Sequence, residues 1–399
     1  MALDYSPIVL DSINPATFPE VALYVRSDNK CTLYKPPEIP LTVHNIERLR
    51  ENGTEFIYIN SADSEEVQAH IEKCFDAVHE NKAISQFSKN LICSQIIINC
   101  INDVFKNSHM AVAFHKCRII LKQFSLKFES RDELFRLFDK LEQNFEKYLV
   151  THSAQVTILS MYLYEKLFSA DRSRLIKIGV GSMLHDIGML YIASDIIEKT
   201  DVLSEAEYHR VKAHPKHGSD LLVSMGITEQ IALDVALCHH ERHDGSGYPR
   251  GLSGQRIPAH AMLVSICDIY CALTMNRPYR SASTREDALA ILKSERYLFD
   301  PQIFDGFLGG MAGTAVPEAA PEEADVPKAL SKAVDGSLID ELRRKMRSYS
   351  GDRNRLLQMH ALLTDNIKNT YGEEKAVFTA FRAELKDFMN SLFSEDRQG

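Results

Sequence analysis

The sequence lacks the features that mark several large classes of protein. It has 46 lysines and arginines against 55 aspartates and glutamates, and a formal net charge of −9, so it has no basic field for binding a long DNA or RNA backbone. No apolar run approaches the roughly twenty residues that span a bilayer, and the N-terminus has no basic segment followed by an apolar one. We therefore expect a cytoplasmic protein with no membrane span and no polymeric nucleic acid as partner.

The eight cysteines form no C-x-x-C pair and no regular framework. A chain of 399 residues does not need disulfides to fold, so we expect reduced thiols, which agrees with a cytoplasmic location. The N-terminal part also has no glycine-rich phosphate loop and no Cys-x-x-Cys-His haem motif. No local motif therefore indicates a chemical function for the N-terminal part.

The length, with an apolar content of 45%, predicts a folded chain of about two or three domains. Residues 1–62 are predicted to form a small α/β domain, with strands at Val21–Val25, Cys31–Tyr34 and Glu55–Ile59 around a helix at Val43–Asn52. The later segments are, in chain order, a helical connector at 63–129, a helical domain at 130–308, an Ala/Pro/Glu-rich linker at 309–335 and a C-terminal helical segment at 336–399.

Imidazoles and carboxylates are concentrated in the helical domain, on separate predicted helices or helix ends. They are His152, His185, Asp186, His214, His239, His240 and Asp268. Imidazole with carboxylate is the ligand set of zinc, iron, manganese and nickel, whereas calcium and magnesium prefer oxygen. Seven donors are too many for one tetrahedral ion, so the pattern predicts two divalent metals bridged by an aspartate. Such a site would hold a water as hydroxide, a nucleophile suited to phosphorus.

A single histidine on a helix is more often a surface or core residue than a ligand, and we apply that interpretation to His209, His217, His243 and His260. His185-Asp186 is different, because apolar neighbours would make an unpartnered aspartate costly. The adjacent pair His239-His240 suits two ions, or one ligand and one supporting histidine, since consecutive helical residues diverge by about 100°.

These residues lie in motifs that resemble the HD-GYP phosphodiesterases over roughly residues 130–307. The motifs are, in order, His152; His185-Asp186-Ile187-Gly188; Leu203-Ser204-x-x-Glu207; His214-Pro215-x-x-Gly218; His239-His240-Glu241-Arg242-x-Asp244-Gly245-Ser246-Gly247-Tyr248-Pro249; Asp268; Arg277-Pro278-Tyr279-Arg280; and Phe299-Asp300-Pro301. The resemblance implies a mainly α chain with a helical-bundle HD domain. It also implies a metal-dependent enzyme that hydrolyses cyclic di-GMP through pGpG to GMP, with iron or manganese as the usual metal.

The resemblance makes the seven donors metal ligands, with His185 and Asp186 as the catalytic pair and Asp186 as the bridge. It also implies a substrate site formed by Gly247, Tyr248, Pro249, Arg277 and Arg280. Tyr248 would stack on guanine or donate its hydroxyl, and Pro249 would fix the backbone of the loop. The arginines would bind phosphate oxygens, and the alternative for them is a solvated helix end.

Three positions depart from the family pattern. Met189 stands where the family usually has lysine, so a cation is missing and activity is expected to be slow, altered in substrate or absent. Tyr148 stands where members with a third metal carry a carboxylate, so we expect two ions. Cys271 replaces an aspartate, and we favour packing with Cys267 over a redox role.

The leading hypothesis is a cyclic-dinucleotide phosphodiesterase. Its alternative is a ligand-binding or scaffold protein that contacts partners such as a diguanylate cyclase, and Met189 motivates it. Hydrolysis of cyclic GMP-AMP is a third hypothesis, because the sequence does not separate purine preferences. We expect a homodimer, with a regulatory or dimer-forming role for residues 1–62 and a docking or self-association role for the C-terminal helices.

Overall fold

The computed structural model describes residues 4–27, 30–106, 130–168, 172–197, 201–227, 229–276 and 281–312, with isolated residues between 116 and 128, at 199, and between 343 and 388. Arg277, Arg280, residues 313–335 of the expected linker and most of the C-terminal segment lie outside the described residues. No helix in the described part is long and apolar enough to cross a bilayer. Every described cysteine is a free thiol, as expected, and Cys117 lies outside this set.

A four-stranded antiparallel sheet forms the N-terminal part, in the order β1-β4-β2-β3. Its strands are β1 (Tyr5–Val9), β2 (Leu23–Ser27), β3 (Lys30–Lys35) and β4 (Phe56–Asn60). Helix α1 (Val43–Glu51) connects β3 to β4 and begins at a capping box of Thr42 and Asn45. The predicted α/β character and helix are present, and the sheet contains one strand that the sequence pattern does not predict.

That strand is β1, whose apolar pattern is interrupted by Pro7. β1 lies at an edge of the sheet, where a proline costs no ladder hydrogen bond if its nitrogen faces outward. Gln95 covers this outer edge: its Oε1 accepts the Val9 N–H at 2.9 Å, and its Nε2 donates to the Pro7 carbonyl at 3.1 Å. The edge is therefore paired with a side chain and not left open.

Two helices lead from the sheet to the helical domain, where the sequence predicted one continuous helical pattern. They are α2 (Ser64–Glu80) and α3 (Gln86–Phe105). The break has a local cause, because the Ser85 hydroxyl accepts the Ser88 N–H at 3.0 Å and caps the start of α3. α3 is buried on most of its circumference and contacts both β1 and the helical domain.

The rest of the described chain is helical, which confirms the mainly α fold class. Its helices are α4 (Arg131–Asn144), α5 (Tyr148–Phe168), α6 (Arg172–Met183), α7 (Ser194–Ile197), α8 (Glu205–Val211), α9 (His214–Ser224), α10 (Gln230–Cys238), α11 (Ala259–Thr274), α12 (Arg285–Ser294) and α13 (Pro301–Ala312). α5 is buried along nearly its whole length and packs on α3, α4, α6, α11 and α13. The core of this domain therefore surrounds α5.

α13 continues to Ala312, past position 308 where the sequence predicted the end of the domain. The glycines that suggested a linker have a packing role here. A Cβ at Gly310 would lie 2.4 Å from the Leu163 side chain, so glycine allows α13 to approach α5 closely. Composition alone does not separate such a helix-packing glycine from a flexible one.

Candidate metal centre

The seven predicted donors come from five places in the helical domain and form two adjoining groups. One group is Asp186, His214, His239 and His240, and the other is His152, His185 and Asp268. Within each group the donor atoms all lie within 4.8 Å of one another. The structure thus brings together every residue of the predicted ligand set.

Asp186 lies between the two groups. Its Oδ2 is 3.3 Å from His185 Nε2, while its Oδ1 is 3.2 Å from His214 Nε2 and 3.7 Å from His239 Nε2. One carboxylate oxygen therefore faces each group, which is the arrangement that a bridging ligand requires. Asp268 completes the second group, with Oδ1 at 3.0 Å from His152 Nε2.

Backbone carbonyls fix the ring orientation of three of the histidines. The Nδ1 atoms of His185, His214 and His239 donate to the carbonyls of Ser182 at 2.7 Å, Val211 at 2.7 Å and Val235 at 3.0 Å. Because Nδ1 carries the proton in each neutral ring, the Nε2 lone pair points into the cluster. His214 Nε2 and His239 Nε2 are only 3.1 Å apart, so their lone pairs converge. His185 Nε2 is buried without a hydrogen-bond partner.

Burial and crowding shift the pKa values of these groups strongly. Burial opposes the protonation of His185, yet the nearby Asp186 and Asp268 carboxylates outweigh it and raise the His185 pKa to about 9. Burial alone would raise the pKa of both aspartates, but the histidines around them hold it well below its ordinary value. Burial, followed by the charge of His239, holds the pKa of His240 well below its ordinary value. Converging lone pairs and buried carboxylates need a counter-charge, and a divalent cation supplies one.

Close backbone contact holds the two ligand-bearing segments together. His185 and Asp186 are followed by the 3-10 helix Ile187–Tyr191, in which Gly188 touches the start of α9. A Cβ at Gly188 would lie 1.9 Å from the carbonyl oxygen of His214, so no larger residue fits without separating the segments. Met189 follows Gly188 in this 3-10 helix, which packs against α9.

The loop after His240 places Tyr248 against the cluster. The Tyr248 ring stacks on the His240 ring, with centroids 4.7 Å apart and an interplanar angle of 23°. The Tyr248–Pro249 bond is cis. At Gly247 a Cβ would lie 2.4 Å from the Arg242 backbone nitrogen, so the loop can fold back only with glycine there. Of the predicted substrate residues, Gly247, Tyr248 and Pro249 are thus in this loop, and Arg277 and Arg280 lie outside the described part of the chain.

Two supporting residues of this loop received no role from sequence reasoning. Glu241 is fully buried, and its carboxylate accepts the Arg250 N–H at 2.8 Å and the Leu252 N–H at 2.9 Å. Arg242 donates through Nη1 to the Ser265 hydroxyl at 2.7 Å. In the sequence these two residues are marked only by their position next to predicted metal ligands. That position does not distinguish a residue that holds the loop in place from a metal ligand.

Comparison with known proteins identifies the helical domain. The family model described as "HD domain" matches residues 139–303. These residues are an HD domain. The response regulator RpfG of Xanthomonas campestris pv. campestris, named a cyclic di-GMP phosphodiesterase, is 41% identical over 146 residues, which are 36% of this chain and 38% of RpfG. The 3′3′-cGAMP-specific phosphodiesterase 3 of Vibrio cholerae is 33% identical over 168 residues, 42% of this chain and 36% of that protein.

A solved structure shares the fold of this chain over most of its length. It is Bd1817, an HDG"Y"P protein from Bdellovibrio bacteriovorus, with a TM-score of 0.56 and 18% identity over 77% of this chain and 99% of that chain. The chain spans about two fifths of the length of the curated relatives it matches first. These matches confirm the resemblance to the HD-GYP family, and an HD domain with this His/Asp cluster binds divalent metal.

The HD domain also places the positions that depart from the family pattern. Tyr148 stacks on His152, with ring centroids 5.5 Å apart and an interplanar angle of 11°. A phenol ring therefore lies against His152 at the position where family members with a third metal carry a carboxylate. Cys267 and Cys271 are fully buried in α11, and burial raises the pKa of the Cys267 thiol to about 12, so a neutral thiol packed in the core is favoured.

Proposed function

We propose that this chain hydrolyses a cyclic dinucleotide second messenger, cleaving cyclic di-GMP to pGpG and GMP. The observation that carries the proposal is the convergence of seven possible metal donors, five of them buried and two half-buried, beside the Tyr248 loop. A metal cluster alone suits many hydrolases, but a tyrosine ring stacked at its rim suits a nucleotide base. RpfG, which is 41% identical over 146 residues, is named a cyclic di-GMP phosphodiesterase.

We assign the two donor groups to two divalent ions, iron by preference and manganese as the alternative. Asp186, His214, His239 and His240 would hold one ion, and His152, His185 and Asp268 the other, with Asp186 between them. When bound, the ions would supply Lewis-acid chemistry, both for activating water and for offsetting charge on the phosphate. Mixed nitrogen and oxygen donors favour such metals over calcium or magnesium.

The chain's own residues would orient the substrate. Tyr248 offers a ring at the rim of the cluster for guanine, and Gly247 and Pro249 shape the backbone on either side of it. His185 and Asp186, the proposed catalytic pair, lie at the junction of the two donor groups, where a phosphodiester would meet both. Arg277 and Arg280 would bind phosphate oxygens by charge-assisted hydrogen bonds.

Met189 favours one second candidate, a ligand-binding or scaffold protein. A thioether at this position provides no charge for a phosphate. Met189→Lys separates the candidates: a large gain from near-zero turnover supports a degenerate site, whereas little change supports an enzyme that does not need this cation. Cleavage of cyclic GMP-AMP remains within the enzyme class, and one Vibrio cholerae relative is named for that substrate.

We further infer a cytoplasmic homodimer in which the parts of the chain divide the work. Residues 1–62 would regulate, 63–129 connect, 130–312 catalyse, 313–335 link, and 336–399 dock or associate. The free thiols support a reducing compartment. Light scattering on the full chain and on a chain ending at residue 312 would test the dimer and the C-terminal role, and co-purification with a diguanylate cyclase would test that partner.

The deciding experiment uses protein purified without oxygen and loaded with iron or manganese. Cyclic di-GMP and 3′3′-cGAMP would be incubated with the wild type, with Asp186→Ala, and with Asp220→Ala as matched control on the exposed face of α9. Linear dinucleotide or GMP formed by the wild type and Asp220→Ala only would support the proposal. Intact substrates with a metal-loaded wild type would refute hydrolysis and favour the scaffold.

A further inference from the structure

A lysine lies next to the Tyr248 loop. Lys212 directly follows α8, and its ammonium nitrogen is 4.8 Å from the ring centre of Tyr208 and 5.3 Å from that of Tyr248. Among the residues that the structure describes, no carboxylate forms an ion pair with Lys212. The Lys212 ammonium group is accessible from the side of Tyr208, since Tyr208 is 48% exposed. Lys212 is therefore a cation that faces two aromatic rings at the surface.

The same lysine is close to the metal donors. It precedes the ligand His214 by two residues, and the Tyr248 ring beside it stacks on the ring of His240. Gly188, which touches the His214 carbonyl, is followed directly by Met189. Position 189 is thus next to a residue that contacts the start of α9, position 212 precedes that start by two residues, and of the two only 212 carries a charge.

The chemistry of this corner suits a nucleotide. Aromatic rings provide stacking surfaces for bases, while an ammonium group binds phosphate oxygen by charge and hydrogen bonds. A cation held only by ring faces has lost little of its capacity to bind an anion, because each cation–π contact is worth about 0.5–1 kcal/mol at exposed sites. A carboxylate partner would have competed directly with the phosphate, and none of the described carboxylates occupies that place.

We propose that Lys212 binds a phosphodiester oxygen of the cyclic dinucleotide, with Tyr208 as a second stacking surface beside Tyr248. This inference rests on the proposed function and names a substrate-binding residue for it. Lys212 would provide, from α8, the positive charge that Met189 cannot provide. Loss of one charge-assisted hydrogen bond predicts a rise of about 10- to 100-fold in KM and in Kd for Lys212→Met.

The test compares three variants of the full, metal-loaded chain. Lys212→Met removes the charge, Lys216→Met removes an equal charge two residues after His214 on the exposed face of α9, and Lys212→Met/Met189→Lys adds a cation next to Gly188, which touches the start of α9. KM and kcat would be measured with cyclic di-GMP, and Kd with its phosphorothioate analogue. Metal content and melting temperature would be recorded for each variant.

The expected result is a raised KM and Kd in Lys212→Met only, at unchanged metal content and melting temperature, with most of the loss recovered in the double variant. A purely structural cation–π role predicts no recovery from a lysine at 189, and that outcome would overturn the inference. Equal behaviour of Lys212→Met and Lys216→Met would overturn it too. A wild type that neither binds nor cleaves cyclic di-GMP would instead overturn the proposed function, and the inference with it.

Discussion

The buried carboxylate of Glu241 makes a quantitative prediction about the Tyr248 loop. Its two oxygens accept the N–H groups of Arg250 and Leu252, so the side chain ties both ends of a short loop segment to the domain. Glu241→Gln keeps the shape and one acceptor oxygen, but it turns an NH₂ donor toward the second N–H. A hydrogen bond to a charged acceptor contributes about 1.5–3 kcal/mol, and an unpaired buried donor costs a similar amount. We expect local opening of the loop to become easier by about 2–4 kcal/mol.

Amide hydrogen exchange measures this change directly. When exchange follows local opening, protection of the Arg250 and Leu252 amides should fall by roughly 30- to 1,000-fold. The backbone amides around the buried Ala154 in α5 should stay protected from exchange. Their protection would show that only the loop opens and not the whole domain. Metal content should also stay unchanged, because Glu241 belongs to neither donor group.

A matched control lies in the same loop. Asp244 is exposed, and its Oδ1 accepts the Ser246 N–H at 3.0 Å, a bond that Asp244→Asn can keep. Exchange in this control should match the wild type. Unchanged protection in Glu241→Gln, or an equal loss in both variants, would show that the buried carboxylate does not hold the loop.

Three further predictions concern the metal centre and the domain core. In Gly188→Ala the new Cβ would clash with the His214 carbonyl, so the variant should be destabilised by about 1–3 kcal/mol and should bind less metal. A full metal content by elemental analysis would show that this close contact does not position the donors. Removing metal with a chelator should lower the melting temperature of the wild type more than that of Asp186→Ala, because the variant already lacks the proposed bridging carboxylate. Equal decreases in the two proteins would count against a bridging role for Asp186. Burial raises the pKa of the Glu142 carboxyl group in the folded protein above its value in the unfolded chain. Protonation of Glu142 therefore stabilises the fold fully below the unfolded-state pKa, and this contribution is lost as the pH rises through the folded-state pKa. Glu142→Gln should therefore melt higher than the wild type at neutral pH and converge with it near about pH 4, and a gap independent of pH would refute this.

The sequence predicted which side chains would cluster, because metal chemistry restricts the residue types to histidine and aspartate and because these residues occur in recognisable motifs. His152 and Asp268 are far apart in sequence, yet each belongs to a helix with a strong apolar pattern, so their convergence followed from the bundle. Glu241 and Lys212 were not predicted, because their roles depend on backbone amides and ring faces that only the folded loop provides. β1 was not predicted for a similar reason, since the cost of Pro7 depends on which way its nitrogen faces.

The position of α3 limits how far the N-terminal part of the chain can be shortened without exposing the core of the HD domain. α3 lies between the sheet, through Gln95, and α5, whose first turns carry His152. A truncated chain starting at residue 130 would retain every metal donor but would expose the apolar side of α5 to water. Shortening the protein to its sequence-defined domain should thus yield an aggregation-prone fragment, whereas a chain that keeps both the sheet and α3 should not expose this surface.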